Sequence, residues 1–339
     1  MKRIGLMGCG TVANYGHIPT ILETPGLELA ALFDPDREKL REAQEKFGIA
    51  AGFSDVDAFL ESGLDGVTIT SPAPCHILNV RDAVRHGKDM LCEKPLGMDE
   101  AECAEMARLA DEAGLLLFTG FDYRFSPASL KIRELVSGGA IGDVRSLRLI
   151  YIWNNHGKYQ AAPEGQLVLN ERRVGRMLEG GPMVDCGVHQ IDLARFWLGS
   201  EVQSWQAAGA WLDEYDAPDH MYLHMDHENG AHTMVEISYS YCYTAKEPIN
   251  QFVYELIGTE GVIRYDRGAK LFEMRTPDGT VRMPFSPEKN FAGMYEAYAV
   301  ALETGVSDTL PTATDGLVAA RISRNATDAL IERHRRSVG

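Results

Sequence analysis

The chain opens with short apolar runs that alternate with helical patterns. Lys2–Met7 precedes a helix from about Thr11, and Leu27–Phe33 precedes a helix over Asp36–Phe47. Asp65–Thr70 precedes Pro74–His86, and Asp89–Cys92 precedes a long helix and then the run Leu115–Thr119. Short apolar runs, each followed by a helix, predict parallel strands covered by helices on both faces. The long helix carries its own boundaries. Asp99 stands at the N-cap position with Glu102 three residues on, and Met106, Leu109, Ala110 and Ala113 form one stripe. Gly114 follows where a C-terminal cap glycine belongs.

From about residue 123 the pattern changes. After a helix at Pro127–Ser137, strand-like runs dominate: Val144–Trp153, Val202–Trp211, Met221–Asp226, Ala231–Tyr241, Gln251–Ile257, Val262–Tyr265 and Lys270–Arg275. Glu228-Asn229-Gly230-Ala231 predicts a tight hairpin, in a register that sets His227 opposite His232. One helix interrupts near Met183–Leu198 and another closes the chain after Pro311, while Asn170–Arg176 reads as a loop. The expected fold is an α/β doubly wound parallel sheet over residues 1–122, followed by an α+β domain with a large, mostly antiparallel open sheet over residues 123–339. The closing helix, about 312–335, is expected to pack back toward the first domain. Two domains also suit 339 residues at roughly 150 residues per domain.

Charge and composition narrow the partners. Acidic residues number 49 and basic residues 33, for a net charge of −16. A surface of that sign repels phosphate backbones and anionic lipid, so neither a nucleic acid nor a membrane is an expected partner. No apolar run reaches membrane-spanning length, and Met1–Met7 reads as a first strand rather than an export signal. Six scattered cysteines without a C-x-x-C pair read as buried free thiols of a cytoplasmic protein. His220, His224, His227 and His232 lack a supporting pair of acids or thiols on one face, so no metal is expected.

Gly8-Cys9-Gly10-Thr11-Val12-Ala13 fits G-x-G-x-x-G/A directly after a strand and at the opening of a helix. In that context Gly8 makes the tight turn and Gly10 lets a pyrophosphate approach the backbone. The small Ala13 lets helix and strand pack, and the helix N-terminus, with Thr11 and Val12, offers free amides to the anion. Asp34 ends the second strand, where an acid accepts the adenosine ribose hydroxyls and repels a 2′-phosphate, favouring NAD. Arg37 lies close enough in sequence to compensate, so NADP stays open.

Three further segments stand out: Ser71-Pro72-Ala73-Pro74-Cys75-His76, Cys92-Glu93-Lys94-Pro95-Leu96, and the run from Gly180-Gly181-Pro182 through Asp185-Cys186-Gly187-Val188-His189 to Asp192. With Gly120-Phe121-Asp122-Tyr123-Arg124-Phe125 and Gly139-Ala140-Ile141-Gly142, their order resembles the glucose–fructose oxidoreductase / inositol dehydrogenase (Gfo/Idh/MocA) family over nearly the whole chain. The family commonly has three glycines where this chain has Gly180-Gly181-Pro182. The resemblance implies a Rossmann domain, an open-sheet domain, and NAD(P)-dependent oxidation or reduction of sugars, cyclitols and related polyols. It places the active lysine on Lys94, in a Lys-Pro bond that is often cis, and the Asp-x-x-x-His pair on Asp185 and His189. It also adds Ser71, Pro72, His76, Glu93 and Lys94 to the cofactor contacts, and implies a homo-oligomer, dimer or tetramer, built through the C-terminal sheet.

The residues support these roles on their own chemistry. Lys94 follows the carboxyl end of a strand, where open α/β sheets bind ligands. Asp185 and His189, at i and i+4, would share a helix face, and a histidine beside a carboxylate suits a general base. The expected reaction removes the proton of a substrate hydroxyl while the carbinol hydride passes to nicotinamide C4. His189 is favoured as the base and Lys94 as the group that polarises the oxygen, with the reverse open. Asp185 orients the site. Substrate contacts are expected from Lys94, Asp185 and His189, from Arg124 at the domain junction, from Arg173 as an anion-binding arginine, and from Trp153 and Asn155 in the aromatic and amide cluster Tyr151–His156. Two other functions stay open: a lyase or glycosidase that recycles its NAD in place, and a non-catalytic dinucleotide-binding regulator.

Overall fold

The computed structural model describes residues 1–153, 159–162, 166–240 and 250–338. The apolar runs of the first third become six strands: β1 (Lys2–Met7), β2 (Leu27–Phe33), β3 (Gly52–Phe53), β4 (Gly66–Ile69), β5 (Asp89–Glu93) and β6 (Leu117–Gly120). They form one parallel sheet in the order β3-β2-β1-β4-β5-β6. The order turns back between β1 and β4, and a doubly wound sheet opens its ligand crevice at the carboxyl ends of the strands at such a switch point.

Helices α1 (Ile18–Glu23), α2 (Arg37–Phe47), α3 (Val56–Leu60), α4 (His76–Arg85) and α5 (Glu100–Ala113) connect these strands. Local chemistry sets their ends. The Asp36 side chain accepts from the backbone N–H groups of Glu38 and Lys39, and Asp99 accepts from Glu102 at 2.9 Å. Glu102 reaches back to the N–H of Met98 at 2.9 Å rather than to that of Asp99, so the capping arrangement is closed one residue earlier than its usual form. Gly48 and Gly114 take the left-handed conformation at the helix ends.

The first compact unit comprises Met1–Phe125 together with Lys289–Ala320. The returning segment carries α9 (Phe291–Thr304), which the sequence reading did not separate out. Tyr295 and Tyr298 of α9 are fully buried, and the Tyr298 hydroxyl donates to the carbonyls of Val67 and Asp89, each at 3.1 Å. Farther on, Thr119 N donates to Pro311 O at 2.8 Å, which extends the β6 edge.

The second unit comprises Ser126–Glu288 and the chain from Arg321 onward. Its eight-stranded sheet contains β7 (Val144–Ile152), β10 (Val202–Ala210), β11 (His220–His227), β12 (His232–Ser238), β13 (Gln251–Gly258), β14 (Val262–Asp266), β15 (Leu271–Thr276) and β16 (Gly279–Arg282). The order is β10-β11-β12-β7-β13-β14-β15-β16, with β12 and β7 parallel and every other pair antiparallel. A small separate pair, β8 (Tyr159–Ala161) and β9 (Leu167–Leu169), sits in the long β7–β10 connection. Along β11 the alternation is strict: Met221, Leu223 and Met225 are buried, while Tyr222, His224 and Asp226 face out. Helices α6 (Pro127–Ser137), α7 (Glu171–Leu178) and α8 (Val188–Leu198) belong to this unit. Trp197 of α8 donates its indole N–H to Ser129 of α6. The last helix, α10 (Ala313–Val338), contributes residues to both units.

Two expectations are corrected here. The hairpin closes with Asp226, not His227, opposite His232. His227 therefore turns to the buried face, where it meets the Thr233 hydroxyl at 2.9 Å, because a one-residue slip moves a side chain to the other side of a sheet. His224 and His232 meet on the outer face at 3.1 Å. Among the described residues, no group of three or more His, Cys, Asp or Glu side chains is placed to hold a metal ion.

Asn170–Arg176, read as a loop, instead opens α7, with Asn170 as its N-cap. Arg173 is 0 % exposed, so it is not available to a substrate. Its guanidinium pairs with the Asp219 carboxylate, donates to Ser240 Oγ at 2.8 Å and donates to the Tyr239 carbonyl at 3.1 Å. Arg173→Met removes the cation that balances the buried Asp219 carboxylate, which keeps only the Ser240 hydroxyl and the N–H groups of Leu212 and Asp213 as neutral donors. We expect it to destabilise the second unit by about 3–5 kcal/mol, as loss of one partner of a buried pair does. Urea unfolding followed by tryptophan fluorescence reads this. Arg173→Met combined with Asp219→Asn should recover much of the loss, and a single variant with an unchanged midpoint would refute the structural role.

Candidate active site

The cofactor end of the first unit is built at the β1–β4 switch point. Gly8 has φ +101°, and a Cβ there would stand 2.6 Å from the backbone nitrogen of Ser71, so only glycine fits. A Cβ on Gly10 would meet nothing within 4 Å, which leaves an open approach to the backbone at that point. Ala13 is fully buried, as close helix–strand packing requires, while Thr11 is exposed. The helix opens at Thr11, with the Asn14 N–H donating to the Gly10 carbonyl at 3.1 Å, and then passes through a π turn, Ala13–His17. A helix N-terminus opening directly from an open glycine is what a pyrophosphate needs, so these residues fit a dinucleotide.

Asp34 lies at the carboxyl end of β2 and is 7 % exposed. Its Oδ2 accepts the N–H of Cys9 at 2.8 Å and its Oδ1 accepts the N–H of Asp36 at 2.9 Å. The carboxylate therefore shapes the glycine loop, and each oxygen keeps lone-pair capacity for a further donor. Asp36, not Asp34, caps α2, and Arg37 is exposed in its first turn.

Ser71 and His76 flank the 3₁₀ turn Ala73–Cys75 after β4, and Pro72 is exposed beside them. Ser71 Oγ donates to Asn79 Oδ1 at 2.6 Å. His76 is buried, with Nε2 2.9 Å from Ser71 O and Nδ1 3.0 and 3.1 Å from the carbonyls of Pro95 and Leu96. Burial lowers its proton affinity, against the pull of those carbonyls. Both ring nitrogens thus face main-chain carbonyls, and the neutral ring, with a single N–H, donates to one side only. His76 joins the loop after β4 to the loop after β5 and offers no nitrogen to a cofactor.

Lys94 follows β5 and is half-buried, and its peptide bond to Pro95 is cis. Glu93 accepts the Lys94 N–H through Oε2 at 3.1 Å. Its Oε1 lies 2.9 Å from His17 Nε2, and His17 Nδ1 lies 2.6 Å from the Tyr295 hydroxyl. Glu93 is therefore held inside the protein behind Lys94. His17 and Tyr295 were not among the sequence-derived site residues. The one available signal was a histidine in a helix whose neighbours, Ala13 and Ile18, are core residues. Arg124, expected to bind substrate, is 8 % exposed and pairs with Asp315 at 3.1 Å within the same unit.

In the second unit, Asp185 sits in a second π turn, Met183–Gly187, and His189 in the first turn of α8. The two residues are four apart in one continuous helical run. Both side chains are buried, at 5 % and 4 % exposure. The Tyr239 hydroxyl donates to Asp185, and Cys186 Sγ lies 3.2 Å from the same hydroxyl. Burial, with Asp185 and Cys186 beside it, pushes the Tyr239 phenol well above its ordinary value, so it remains a donor. Arg176 Nε lies 3.7 Å from Asp185, and its guanidinium also donates to Glu179 at 2.6 Å. Burial works against the Arg176 charge, but Asp185 and Glu179 more than offset it. Trp153 stacks on Tyr151 with centroids 5.9 Å apart, and Asn155, with Asn154 and His156, lies outside the described residues.

Comparison with known proteins places this geometry. The family model "Oxidoreductase family, NAD-binding Rossmann fold" matches residues 2–121, and "GFO/IDH/MocA C-terminal domain" matches residues 129–264. The chain is 32% identical over 290 residues to dTDP-3,4-didehydro-2,6-dideoxy-alpha-D-glucose 3-reductase of Streptomyces violaceoruber, covering 82% of this chain and 78% of that protein. It is 27% identical to scyllo-inositol 2-dehydrogenase (NAD(+)) of Bacillus subtilis, over 77% of this chain and 72% of that one. Its fold matches an oxidoreductase from Agrobacterium radiobacter, solved with NAD+, L-tartaric acid and magnesium, at a TM-score of 0.82 and 22% identity, over 97% of this chain and 96% of that one. No helix among the described residues is long and apolar enough to cross a membrane. With the glycine loop after β1 and Lys94 at the carboxyl end of β5 in the same sheet, the chain belongs to the GFO/IDH/MocA oxidoreductase family and carries an NAD-binding Rossmann domain.

Proposed function

We propose that this protein is an NAD-dependent dehydrogenase that interconverts a secondary alcohol and a ketone on a sugar, cyclitol or related polyol. The observation that carries the reading is Lys94, held by Glu93 at the end of β5 in the sheet whose β1 end forms the dinucleotide cradle. The names of the sugar and inositol relatives support the substrate class. NAD, when bound, supplies the hydride acceptor at nicotinamide C4. The chain's own residues supply position and proton transfer. His189 takes the proton of the carbinol hydroxyl, Lys94 polarises the same oxygen, and Asp185, fixed by Tyr239 and Arg176, orients the substrate.

We further infer a cytoplasmic homo-oligomer, dimer or tetramer, joined through the outer face of the eight-stranded sheet. Tyr222 at 37% and Ile257 at 49% exposure lie on that face and support it.

Three outcomes are expected. Wild-type protein screened against cyclitols, aldoses, uronates and amino sugars should accumulate NADH, read at 340 nm. Substrate consumed without NADH accumulation would indicate a recycled cofactor instead. Lys94→Met and His189→Ala should each lower kcat by about 10²–10⁴-fold, the worth of general acid–base groups, while His189→Ala leaves NAD affinity by calorimetry at the wild-type value. Near-wild-type turnover in either variant would remove that residue from the reaction. Asp34→Ala should weaken the preference for NAD over NADP by about 10–100-fold, the worth of a charge-assisted hydrogen bond. An unchanged ratio of kcat/KM values would show that Asp34 only shapes the loop.

A further inference from the structure

Behind Lys94 lies a polar cluster drawn from four separate segments of the first unit. His17 comes from the π turn after the glycine loop, Glu93 from the end of β5, Tyr295 from α9 and Thr68 from β4. His17 is 1 % and Glu93 7 % exposed. The contacts are His17 Nε2 to Glu93 Oε1 at 2.9 Å, His17 Nδ1 to Tyr295 Oη at 2.6 Å, and Tyr295 Oη to Thr68 Oγ1 at 3.3 Å. The Phe291 ring packs across His17 at 4.9 Å between centroids, closing it from solvent. Gly120 leaves room for the carboxylate, since a Cβ there would stand 3.1 Å from Glu93 Oε1.

A buried pair of this kind costs desolvation, and packing alone is served as well by apolar side chains of similar volume. Its second carboxylate oxygen shows what the cost obtains: it holds the N–H of Lys94 at 3.1 Å. We propose that the buried His17–Glu93 pair keeps Lys94 in its ammonium form and pins its main chain, so that Lys94 acts as a hydrogen-bond donor. His17 and Glu93 are positioning residues that act through Lys94. The inference rests on the reading above that Lys94 acts on the substrate.

The electrostatic surroundings agree with the geometry. Burial alone would raise the Glu93 carboxyl, but the hydrogen bond and charge of His17, with Lys94 and Lys289 nearby, bring it below its ordinary value. Lys289 is itself balanced by Asp122 and by its hydrogen bond to Tyr15 at 2.9 Å. Cys92, His76 and Tyr295 also face Glu93, and burial sets all three toward their neutral forms. An ionised Glu93 therefore places a fixed negative charge one residue from Lys94.

The test uses the whole protein without cofactor, with lysines ¹³C-dimethylated and the Lys94 resonance identified by its loss in Lys94→Arg. Glu93→Gln keeps the shape and removes the charge, and should lower the Lys94 proton affinity at least about tenfold. His17→Leu, which leaves the carboxylate without its partner, should shift Lys94 the same way. His17→Gln, whose amide can still donate to Glu93, should restore the wild-type midpoint. Tyr298→Phe, which removes a buried phenol of the same helix outside the cluster, should lower stability and leave the Lys94 midpoint alone. A folded Glu93→Gln or His17→Leu protein whose Lys94 midpoint equals that of wild type overturns the inference. If Lys94→Met is inactive in the NADH assay while those midpoints stay put, only the positioning role fails. If Lys94→Met turns over normally, the functional reading itself fails.

Discussion

The close approach of two backbones at the carboxyl ends of β1 and β4 organises the first unit. Gly8 can pass Ser71 only because it has no side chain, and Thr70 secures the crossing by donating its hydroxyl to Gly8 O at 2.7 Å. From there the constraint travels by hydrogen bonds. Ser71 O meets His76, and the other ring nitrogen of His76 meets the carbonyls of Pro95 and Leu96. On the other side of the loop, Asp34 holds the N–H of Cys9. The buried His76 ring thus lies between the segment that passes Gly8 and the Lys94 loop, with a hydrogen bond to one and close contact with the other. The loops after β1 and β5, with β4 between them, are held in place together in this way.

What was legible in the sequence was whatever a short stretch of chain determines alone. Asp99 caps a helix, Gly114 ends it, and the glycine loop follows its strand, because each depends on residues within one or two turns. The fold class and the family followed from the order of such local signals. What was not legible depends on partners distant in sequence. Arg173 and Arg124 look like ligand-binding arginines until Asp219 and Asp315 are seen beside them. His76 reads as a cofactor residue until both its nitrogens are found on carbonyls. The hairpin erred by a single residue, which sufficed to exchange the faces of His227 and its neighbours. The stripe of Met294, Tyr295, Tyr298 and Leu302 had helical spacing, so α9 could have been read from it; its burial in the first unit could not.

The second unit applies the same logic with a different carboxylate. Asp185 is buried in a π turn, receives the Tyr239 hydroxyl and lies beside Arg176, as Glu93 receives His17 and the Lys94 N–H in the first unit. In both places an acid that could have paired with water is held by donors of the protein's own. A carboxylate so held has a fixed orientation, and it can orient a lysine or a substrate hydroxyl in turn.

This bears on how the acidic excess should be understood. Many of the ion pairs are exposed, such as Arg41–Glu45 and Arg108–Glu112, and pairs of that kind are worth about 0–1 kcal/mol. The charges that matter are few and buried, and each is matched: Arg173 to Asp219, Asp185 to Tyr239 and Arg176, Glu93 to His17. Because a buried charge must find its partner within the fold, these matches dictate which loops stand next to one another. A net charge of −16 therefore describes the solvated exterior, while the proposed reaction depends on a handful of interior acids whose partners decide where Lys94 and His189 can act.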